Sequence, residues 1–597
     1  VIAPADPDRA AALARAVGVS PLAAQLMLNR GITTPGDAIP YLRPRLAELR
    51  PPAGEGVVAE RTMAGFTDAL FRLERAVRER QTIGVFGDYD VDGVTSAALL
   101  VRFLRDAGAT VVVRVARRDA GYGLSPAEIG EYAAAQCAVV VACDCGTSDH
   151  DALAEARRRG IDVIVVDHHQ VPTSDNGRLP DALALINPHR ADCRFPYKGL
   201  ASVGVAFYLA AALRTRLRAA GWPALPDPRA LLDLVALGTV ADMAPLTREN
   251  RILVAAGVAQ MKAGPLRPGL AALSSLCKLP DGPRRAADLG QRLGPRLNAP
   301  GRLGAATLAL ELLLAGDAAQ AAALADACEA ENRRRREIQE AVSVEADVEA
   351  AAQARAGAEF LVVAGAGWHP GVVGIVAQRL AERHGRPTAV LAIEGDLARG
   401  SLRSAGGLHL ADALHKASDL LVRFGGHAAA AGLTVETAQI PALRSRLTAI
   451  ARARLGEAGR VPPLRLDALV RLDAIGEPLV SELERLEPFG VGNPEPLLGV
   501  RDVVLQRARV VGDNHLQVTL SDGLHARDGI GFSLADGAPE RGAAVRASFL
   551  PELDTWQGTT RVRLRLRGIH PATEAASAST SPATARAPEP IPSTLFA

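Results

Sequence analysis

Lysine is nearly missing from these 597 residues. Only Lys198, Lys262, Lys278 and Lys416 occur among 68 basic residues, so 64 are arginines. Codon bias in a GC-rich genome accounts for this, and for the abundant alanine and scarce asparagine. Whatever its origin, arginine supplies planar, bidentate phosphate binders wherever it falls. An excess of one sign of charge is missing too. The 68 Lys+Arg against 66 Asp+Glu leave +2, which argues against a uniformly basic nucleic-acid binder but not against an uneven distribution. The six cysteines (Cys137, Cys143, Cys145, Cys193, Cys277, Cys328) are too few and too irregular for a disulfide framework. No apolar run approaches the roughly 20 residues of a membrane span, and no basic-then-apolar leader opens the sequence. The expectation is a cytoplasmic protein with no membrane association. A composition 48% hydrophobic and 22% charged excludes wholesale disorder, and the length allows roughly three to five domains.

The pattern changes along the chain. Residues 1–50 read as an Ala/Leu-rich helical segment. Within 51–310, short apolar strands alternate with helices: Thr82–Phe86, Thr110–Val115, Ala138–Cys143 and Asp162–Val166. This indicates a mostly parallel sheet covered on both faces. Residues 317–355 contain neither Gly nor Pro and are rich in Ala, Glu and Arg, so a continuous helix of about 58 Å is expected within a connecting segment, 311–356. Its Arg333–Arg336 run reads as solvated surface, with a phosphate-facing role as the alternative. A second α/β block, 357–458, carries strands at Phe360–Val363 and Thr388–Ile393. Residues 459–570 turn to β, with five strands (Val503–Val511, Leu516–Leu520, Gly529–Phe532, Ala544–Phe549, Arg561–Arg567), as suits a small barrel such as an OB-fold. The Ala/Ser/Thr/Pro-rich stretch 571–597 is expected to be disordered.

Four apolar segments end in acids or imidazoles. Thr82–Phe86 runs into Gly87-Asp88-Tyr89-Asp90-Val91-Asp92-Gly93; Ala138–Cys143 ends at Asp144; Asp162–Val166 ends at Asp167-His168-His169; and Leu234–Ala241, read here as a strand, ends at Asp242. Ligands bind beyond the carboxyl ends of strands in an open parallel sheet, so the four termini can share one crevice. A single Asp after a strand is ordinarily a cap or turn residue, and Asp88 alone fits that reading; four such ends do not. Carboxylates so crowded repel unless cations neutralise them. Oxygen ligands with imidazoles suit Mn²⁺ or Mg²⁺, with Mn²⁺ favoured by the histidines. A carboxylate bridging two ions about 3.5–4 Å apart is an arrangement for phosphodiester hydrolysis.

These motifs, GDYDVDG (87–93), CDCG (143–146), Asp167-His168-His169 and GTVADMAPL (238–246), resemble those of the DHH phosphoesterase superfamily. Within it the pattern is similar to the RecJ family, exonucleases that degrade single-stranded DNA 5′→3′ in repair and recombination. Supporting stretches are GYGLS (121–125), GPRLNAPGRLG (294–304), WHPGVVGIVAQRL (368–380), GGHAAAAG (425–432) and EPFGVGNPEP (487–496). The resemblance implies a DHH-type parallel-sheet domain, a long connecting helix, a DHHA1-like α/β domain and a C-terminal OB-fold. It implies Asp90, Asp92, Asp144, His168 and Asp242 as ligands of two Mn²⁺ or Mg²⁺ ions, Asp144 bridging. Catalytic roles fall to Asp144, to His169 near the scissile phosphate or in the metal shell, and to Asp88. Many superfamily members have His where this chain has Phe86, which implies that one metal is held more weakly.

The resemblance also implies a path for DNA along Arg296, Asn298 and Arg302, with Tyr122 of GYGLS beside it. A terminal-phosphate pocket is implied at the turn Gly400–Ser404, through Ser401 and Arg403, with Arg117 reaching in and His427 on the substrate side. From the residues alone, the lesser reading of Leu289–Leu310 is a turn-rich loop with solvated arginines. Arg561, Arg563, Arg565 and Arg567 alternate with Val562, Leu564 and Leu566, so all four project from one face of a strand. That face is either solvated or a phosphate-tracking groove, which would grip by charge, with strong salt dependence and little base stacking. Expected partners are single-stranded DNA, a single-strand-binding protein and a repair helicase, acting on a monomer that releases 5′-mononucleotides. Two rivals stand: a phosphoesterase of small substrates such as dinucleotides, and a non-catalytic DNA-binding scaffold.

Overall fold

The computed structural model describes residues 1–53, 62–117, 123–172, 177–223, 225–455, 464–556 and 559–572. Tyr122 and nearly all of the expected disordered tail lie outside these. The chain divides into two compact units, one of Leu49–Pro462 and one of Val1–Glu48 with Pro463–Ile591.

The larger unit holds two sheets. The first is wholly parallel, β1 (Ile83–Gly87), β2 (Val111–Val115), β3 (Val139–Cys143), β4 (Asp162–Val166) and β5 (Ala184–Ile186), in the order β2-β1-β3-β4-β5. β1 and β3 are buried throughout, as uniformly apolar strands in the middle of a parallel sheet must be. The order reverses direction between these two strands, which opens a crevice at their carboxyl ends. The short β5 adds to the four strands expected. Leu234–Ala241 is not a strand. It belongs to the helix Leu232–Ala241, buried from Leu232 to Thr239; a short, wholly apolar run reads alike for a buried strand and a buried helix. Leu289–Leu310 is likewise not a turn-rich loop but a π-helical turn (Leu289–Leu293), a helix Gly294–Leu303 and the start of another, Thr307–Leu314.

The connecting helix spans Ala318–Arg355, 38 residues, with Asp317 as its cap accepting from the Gln320 amide at 2.9 Å. Its first half packs on the helices Gly294–Leu303 and Thr307–Leu314. Its second half buries Val342, Ala346 and Ala350 against Val363, Val376 and Val390 of the second sheet region. That sheet comprises β6 (Leu361–Ala366), β7 (Thr388–Glu394), β8 (Leu397–Arg403), β9 (Leu421–Gly426) and β10 (Ala430–Glu436), ordered β6-β7-β8-β10-β9. β6 and β7 are parallel; β8 is antiparallel to β7 and β10. Residues 400–403, expected as a turn, therefore lie within β8, where small residues permit close packing: a Cβ on Gly400 would meet Leu391 Cδ2 at 2.1 Å.

In the smaller unit, β11 (Ala468–Leu469) leads into β12 (Leu498–Val511), β13 (His515–Ser521), β14 (Ala526–Gly531), β15 (Ala544–Trp556) and β16 (Thr559–Pro571). The sheet closes because β12 pairs with both β13 and β15, giving the five-stranded barrel. Three N-terminal helices, Pro7–Val17, Pro21–Asn29 and Pro35–Leu42, each carry Pro in the first turn behind a capping Asp6, Ser20 or Thr34. Leu13, Leu26 and Met27 share the core of the barrel with Leu498, Phe549 and Leu566.

A buried ion pair anchors the Leu232–Ala241 helix. Arg267 donates from Nε and Nη2 to the two Asp233 oxygens at 2.5 Å, both side chains being under 10% exposed. Asp233→Ala would leave that guanidinium sealed without a counter-ion and is expected to cost about 3–5 kcal/mol. The cost is read as a fall in the guanidinium-chloride midpoint. Asp233→Leu combined with Arg267→Met should recover most of it; an unchanged midpoint in the single variant would show the pair to be dispensable.

Candidate metal centre and phosphate pocket

The tight turn after β1 sets the first ligands. Asp90 caps the helix Val91–Asp106, its Oδ1 accepting from the amides of Asp92 (2.9 Å) and Gly93 (3.1 Å). Gly93 is obligatory there, since a Cβ would lie 2.5 Å from the Asp88 nitrogen. Asp92 is sealed inside, accepting from the amides of Ser202 (2.7 Å) and Val203 (2.9 Å) at the start of the helix Ser202–Ala219, a terminus whose dipole favours an anion. Asp144 leaves β3 in the left-handed region, at φ 63°, a conformation Asp tolerates better than most residues. Its Oδ1 accepts from Ser202 Oγ at 2.9 Å. Asp242 caps the carboxyl end of the Leu232–Ala241 helix rather than a strand, and still reaches the same crevice.

The imidazoles close the cluster. His168 Nε2 stands 3.3 Å from Asp144, 3.7 Å from Asp242 and 3.8 Å from Asp92, buried and without a hydrogen-bond partner. His169 Nδ1 lies 2.7 Å from Asp167 Oδ1 and 3.8 Å from Asp144. Three donor groups lie mutually within 4.8 Å: Asp144, His168 and His169; Asp92, His168 and Asp242; Asp88, Asp90 and Asp144. Asp144 and His168 are each shared by two of them. The Asp88 Oδ1 is buried and unpartnered, and Asp88 belongs to the third of these groups. Phe86, at the position where the resemblance suggested histidine, is buried in the apolar layer with Tyr132 and Val140 and contributes no donor.

Electrostatics follow from burial. Desolvation pushes Asp88, Asp144 and Asp242 well above the usual carboxylate range, and the neighbouring aspartates push them further. Asp92 rises to about 6, burial and Asp90 outweighing His168 and its amide hydrogen bonds. Burial would lower His169, but Asp167, Asp144 and Asp90 overcome it and raise the ring to about 10. Asp167 moves the other way: burial opposes its charge, yet His169 and hydrogen bonding hold it ionised. A buried set of acids that resists ionisation, around an unpartnered imidazole nitrogen, fits hard divalent cations bound by oxygen and nitrogen.

Beside this centre is a cavity of about 660 Å³ lined by Tyr89, Arg302, His369, Ser401 and Arg403 among others. Arg403 Nη1 donates to Ser401 Oγ at 2.9 Å, burial lowers its pKa, and no acid among the described residues acts on it. The helix Val373–His384 begins against this pair: a Cβ on Gly374 would come 3.1 Å from Ser401 Oγ and 3.3 Å from Arg403 Nη2. A helix N-terminus beside an arginine that has no acid partner among the described residues suits an anion such as phosphate.

The chain matches the DHH family N-terminal domain over residues 82–239, the DHHA1 domain over 357–453 and the RecJ OB domain over 466–568. It is 40% identical over 497 residues to the single-stranded-DNA-specific exonuclease RecJ of Dickeya dadantii, covering 80% of this chain and 85% of that one. With the RecJ of Escherichia coli it shares 37% identity over 544 residues, 87% of this chain and 92% of the relative. The crystal structure of Thermus thermophilus RecJ in complex with Mn²⁺ superposes with a TM-score of 0.81 at 31% identity, covering 96% of this chain and 79% of that one; a Mg²⁺ complex from the same organism gives 0.73. The chain belongs to the RecJ family.

Within this RecJ-family fold the other expected residues fall in different settings. Asn298 Oδ1 accepts from the Val91 amide at 3.1 Å, bracing the turn between Asp90 and Asp92. Arg302 lines the phosphate pocket and donates to the Gly371 carbonyl at 3.3 Å. Arg296 is instead paired with Glu329 at 2.6 Å. His427 is half-buried, its pKa lowered by burial and then by the charges of His169 and His409. Arg117 is exposed just beyond β2, and the pocket's described lining does not include it. On the barrel, Arg563 meets Asp554 at 3.5 Å, and Arg565 meets Glu495 at 2.8 Å and Glu552 at 3.4 Å. Carboxylates thus neutralise the middle of the arginine row, which favours the solvated reading there; Arg561 and Arg567 remain exposed. Ser202, Asp167 and the pocket residues Tyr89 and His369 were not expected. Asp167 was visible in the Asp-His-His motif; Ser202 carries no signal in an apolar helix start.

Metal binding must displace protons from these raised carboxyls. Affinity for Mn²⁺ is therefore expected to climb as pH rises from 6 to 8, with protons released in calorimetry run in buffers of different ionisation enthalpy. The same shift makes the metal-free fold lose stability as pH rises from 3.8 through about 6, where Asp92 ionises. The thermal stabilisation by Mn²⁺ should consequently be larger at pH 8 than at pH 5.5. Affinity independent of pH would contradict these shifts.

Proposed function

We propose that this protein is a metal-dependent exonuclease that removes 5′-mononucleotides from single-stranded DNA in the 5′→3′ direction, in DNA repair and recombination. The observation that carries the reading is the adjacency of the acid and imidazole cluster to the Ser401–Arg403 pocket, with Tyr89 lining the pocket one residue before Asp90. Asp90, Asp92, Asp144, His168 and Asp242 are the proposed holders of two Mn²⁺ or Mg²⁺ ions, with Asp88 beside them. When bound, such ions supply Lewis-acid stabilisation of phosphate charge and an activated water.

The chain's own residues divide the remaining work. Ser202 Oγ and the amides of Ser202 and Val203 fix the Asp144 and Asp92 carboxylates in orientation. Asp167 holds His169 by Nδ1, which leaves Nε2 with a proton to share with a phosphate oxygen or the leaving group. Arg403, Ser401 and Arg302 hold the 5′-terminal phosphate, so the strand stops there and the next phosphodiester meets the metal centre. Polarity then follows from which end the pocket accepts.

The barrel offers a second surface for the strand, since OB-folds commonly bind single strands. Among the described residues no single helix is long and apolar enough to cross a membrane. All six cysteines are free and buried, which suits the reducing cytoplasm. A monomer working with a single-strand-binding protein and a repair helicase completes the proposal, on the strength of the resemblance.

The test is digestion of a 30-mer labelled at either end. With Mn²⁺, the 5′ label should appear at once as a mononucleotide while the 3′ label stays on shortening strands; the opposite pattern rejects the polarity. Asp144→Asn should lower the rate at least about 10³-fold with the fold intact by circular dichroism, and unchanged release would end the catalytic reading. Arg403→Gln should lower kcat/KM on 5′-phosphorylated strands about tenfold and narrow the preference over 5′-hydroxyl strands. An unaltered preference would remove Arg403 from the pocket's function.

A further inference from the structure

The cavity that Ser401 and Arg403 line is larger than one phosphate requires. Its volume of about 660 Å³ falls among the pockets of roughly 300–1,000 Å³ that take a drug-sized ligand, and its described lining includes none of the proposed metal ligands. β8 accounts for its length. Ala398 and Leu402 turn into the core of the second sheet, so Arg399, Ser401 and Arg403 share the opposite face, and all three line the cavity. Arg399 and Arg403 are four residues apart, about 13 Å along a strand. Glu394 of β7, in register with Leu397, lines the cavity at the Arg399 end.

The two ends of this row are built differently. At the inner end the contacts lead back to the metal-binding turn. Gly374 packs on Ser401 and Arg403, Gly371 packs on the Arg302 backbone, where a Cβ would fall 2.3 Å from the carbonyl oxygen, and Gly301 packs equally closely on Tyr89, the neighbour of Asp90. At the outer end Arg399 and Glu394 stand 4.0 Å apart, with side chains 63% and 49% exposed. An exposed pair at that distance contributes little, so both groups remain open to a ligand that brings a partner for each. A bare anion would be repelled by the Glu394 carboxylate, whereas a ligand with an anionic group for Arg399 and hydroxyls for Glu394 would satisfy both.

From this geometry we infer that Arg399 and Glu394 form an outer subsite for a nucleoside carried on the 5′ end of a strand through a pyrophosphate. The inference rests on the exonuclease reading above. The phosphate on the strand's first sugar stays on Ser401 and Arg403, the second phosphate meets Arg399, and the ribose hydroxyls of the cap donate to Glu394, as they do to the acid of a dinucleotide site. The reaction itself is unaltered. The oxygen of a water bonds to the phosphorus that joins the first two nucleotides, the bond from that phosphorus to the first 3′ oxygen breaks, and the 3′ oxygen takes a proton that the water gives up. The pyrophosphate is untouched, so the capped nucleotide departs whole and the shortened strand keeps the 5′-phosphate. A capped end is then a substrate rather than a block.

The test uses Mn²⁺ and 3′-fluorescein oligo(dT) strands bearing a 5′-phosphate, a 5′-diphosphate or a 5′-adenylyl cap. The first product from the capped strand should be thymidine still joined to adenosine through the pyrophosphate, identified by its mass; AMP as the first product, or no cleavage, would overturn the subsite. Arg399→Gln should raise KM on the capped strand about tenfold, the loss of one charge-assisted hydrogen bond, and leave the 5′-phosphorylated strand nearly unaffected. A merely structural role would move both alike. Wild type should prefer the adenylyl cap to the diphosphate, and Glu394→Gln should remove that preference; a preference that survives rejects the nucleoside. Both side chains are exposed, and digestion of the 5′-phosphorylated strand shows that each variant is folded. Capped-strand kinetics unchanged in Arg399→Gln overturn the subsite and leave the exonuclease reading intact, whereas a wild type that does not digest the 5′-phosphorylated strand ends both.

Discussion

Too many carboxylates in too little water is the condition around which this fold is organised. Asp88, Asp92 and Asp144 are almost completely buried, and each resists ionisation because burial desolvates it and because its neighbours are acids too. Such a group is tolerable only if the backbone holds it rigidly and a cation completes it. The chain meets the first requirement with two helix N-termini and one tight turn. One helix starts under Asp90, another aims its first two amides and Ser202 Oγ at Asp92 and Asp144, and the left-handed turn at Asp144 bends the chain out of β3 toward them. The second requirement explains why the relatives are known with Mn²⁺ and Mg²⁺.

The histidines show how an acidic centre keeps one positive charge. His168 Nε2 lies among carboxylates without a hydrogen bond, the state of a nitrogen left available to a metal. His169 is committed by Asp167 to remain protonated at neutral pH. Adjacent residues of one motif are therefore prepared for opposite tasks, and the difference lies in a single short contact with the residue that precedes them both. A substitution at Asp167 would accordingly alter the chemistry without touching a ligand.

How much of this was legible in the sequence depends on which physical signal each part leaves. The central strands announce themselves by all-apolar runs, and their acidic ends by position, so β1, β3, β4 and the residues Asp90, Asp92, Asp144 and His168 could be read directly. The 38-residue connecting helix was legible from the absence of Gly and Pro. Leu234–Ala241 was misassigned because a helix buried on every side has no amphipathic period to display. Gly400–Arg403 read as a turn because glycine and serine are turn residues when exposed, but in β8 they serve close packing against β7. Ser202 was invisible, since its importance comes from which carboxylate the fold sets beside it.

Arginine poses the same question most sharply, because a sequence with 64 of them cannot say which matter. Spacing suggested the row Arg561 to Arg567, yet Arg563 and Arg565 already have Asp554, Glu552 and Glu495 as counter-ions. Exposure is no better a guide, since surface arginines paired with acids contribute little. What separates Arg403 from these is that it is buried, held by a neutral hydroxyl and a carbonyl, and, among the described residues, without a carboxylate. The fold bears the desolvation of that cation and leaves the compensating charge to come from outside. It lines a cavity beside a centre whose acids suit metals. A net charge of +2 is therefore compatible with opposite local imbalances, an anionic crevice that suits cations and a cationic pocket that suits phosphate, which a bound strand and its ions would satisfy together.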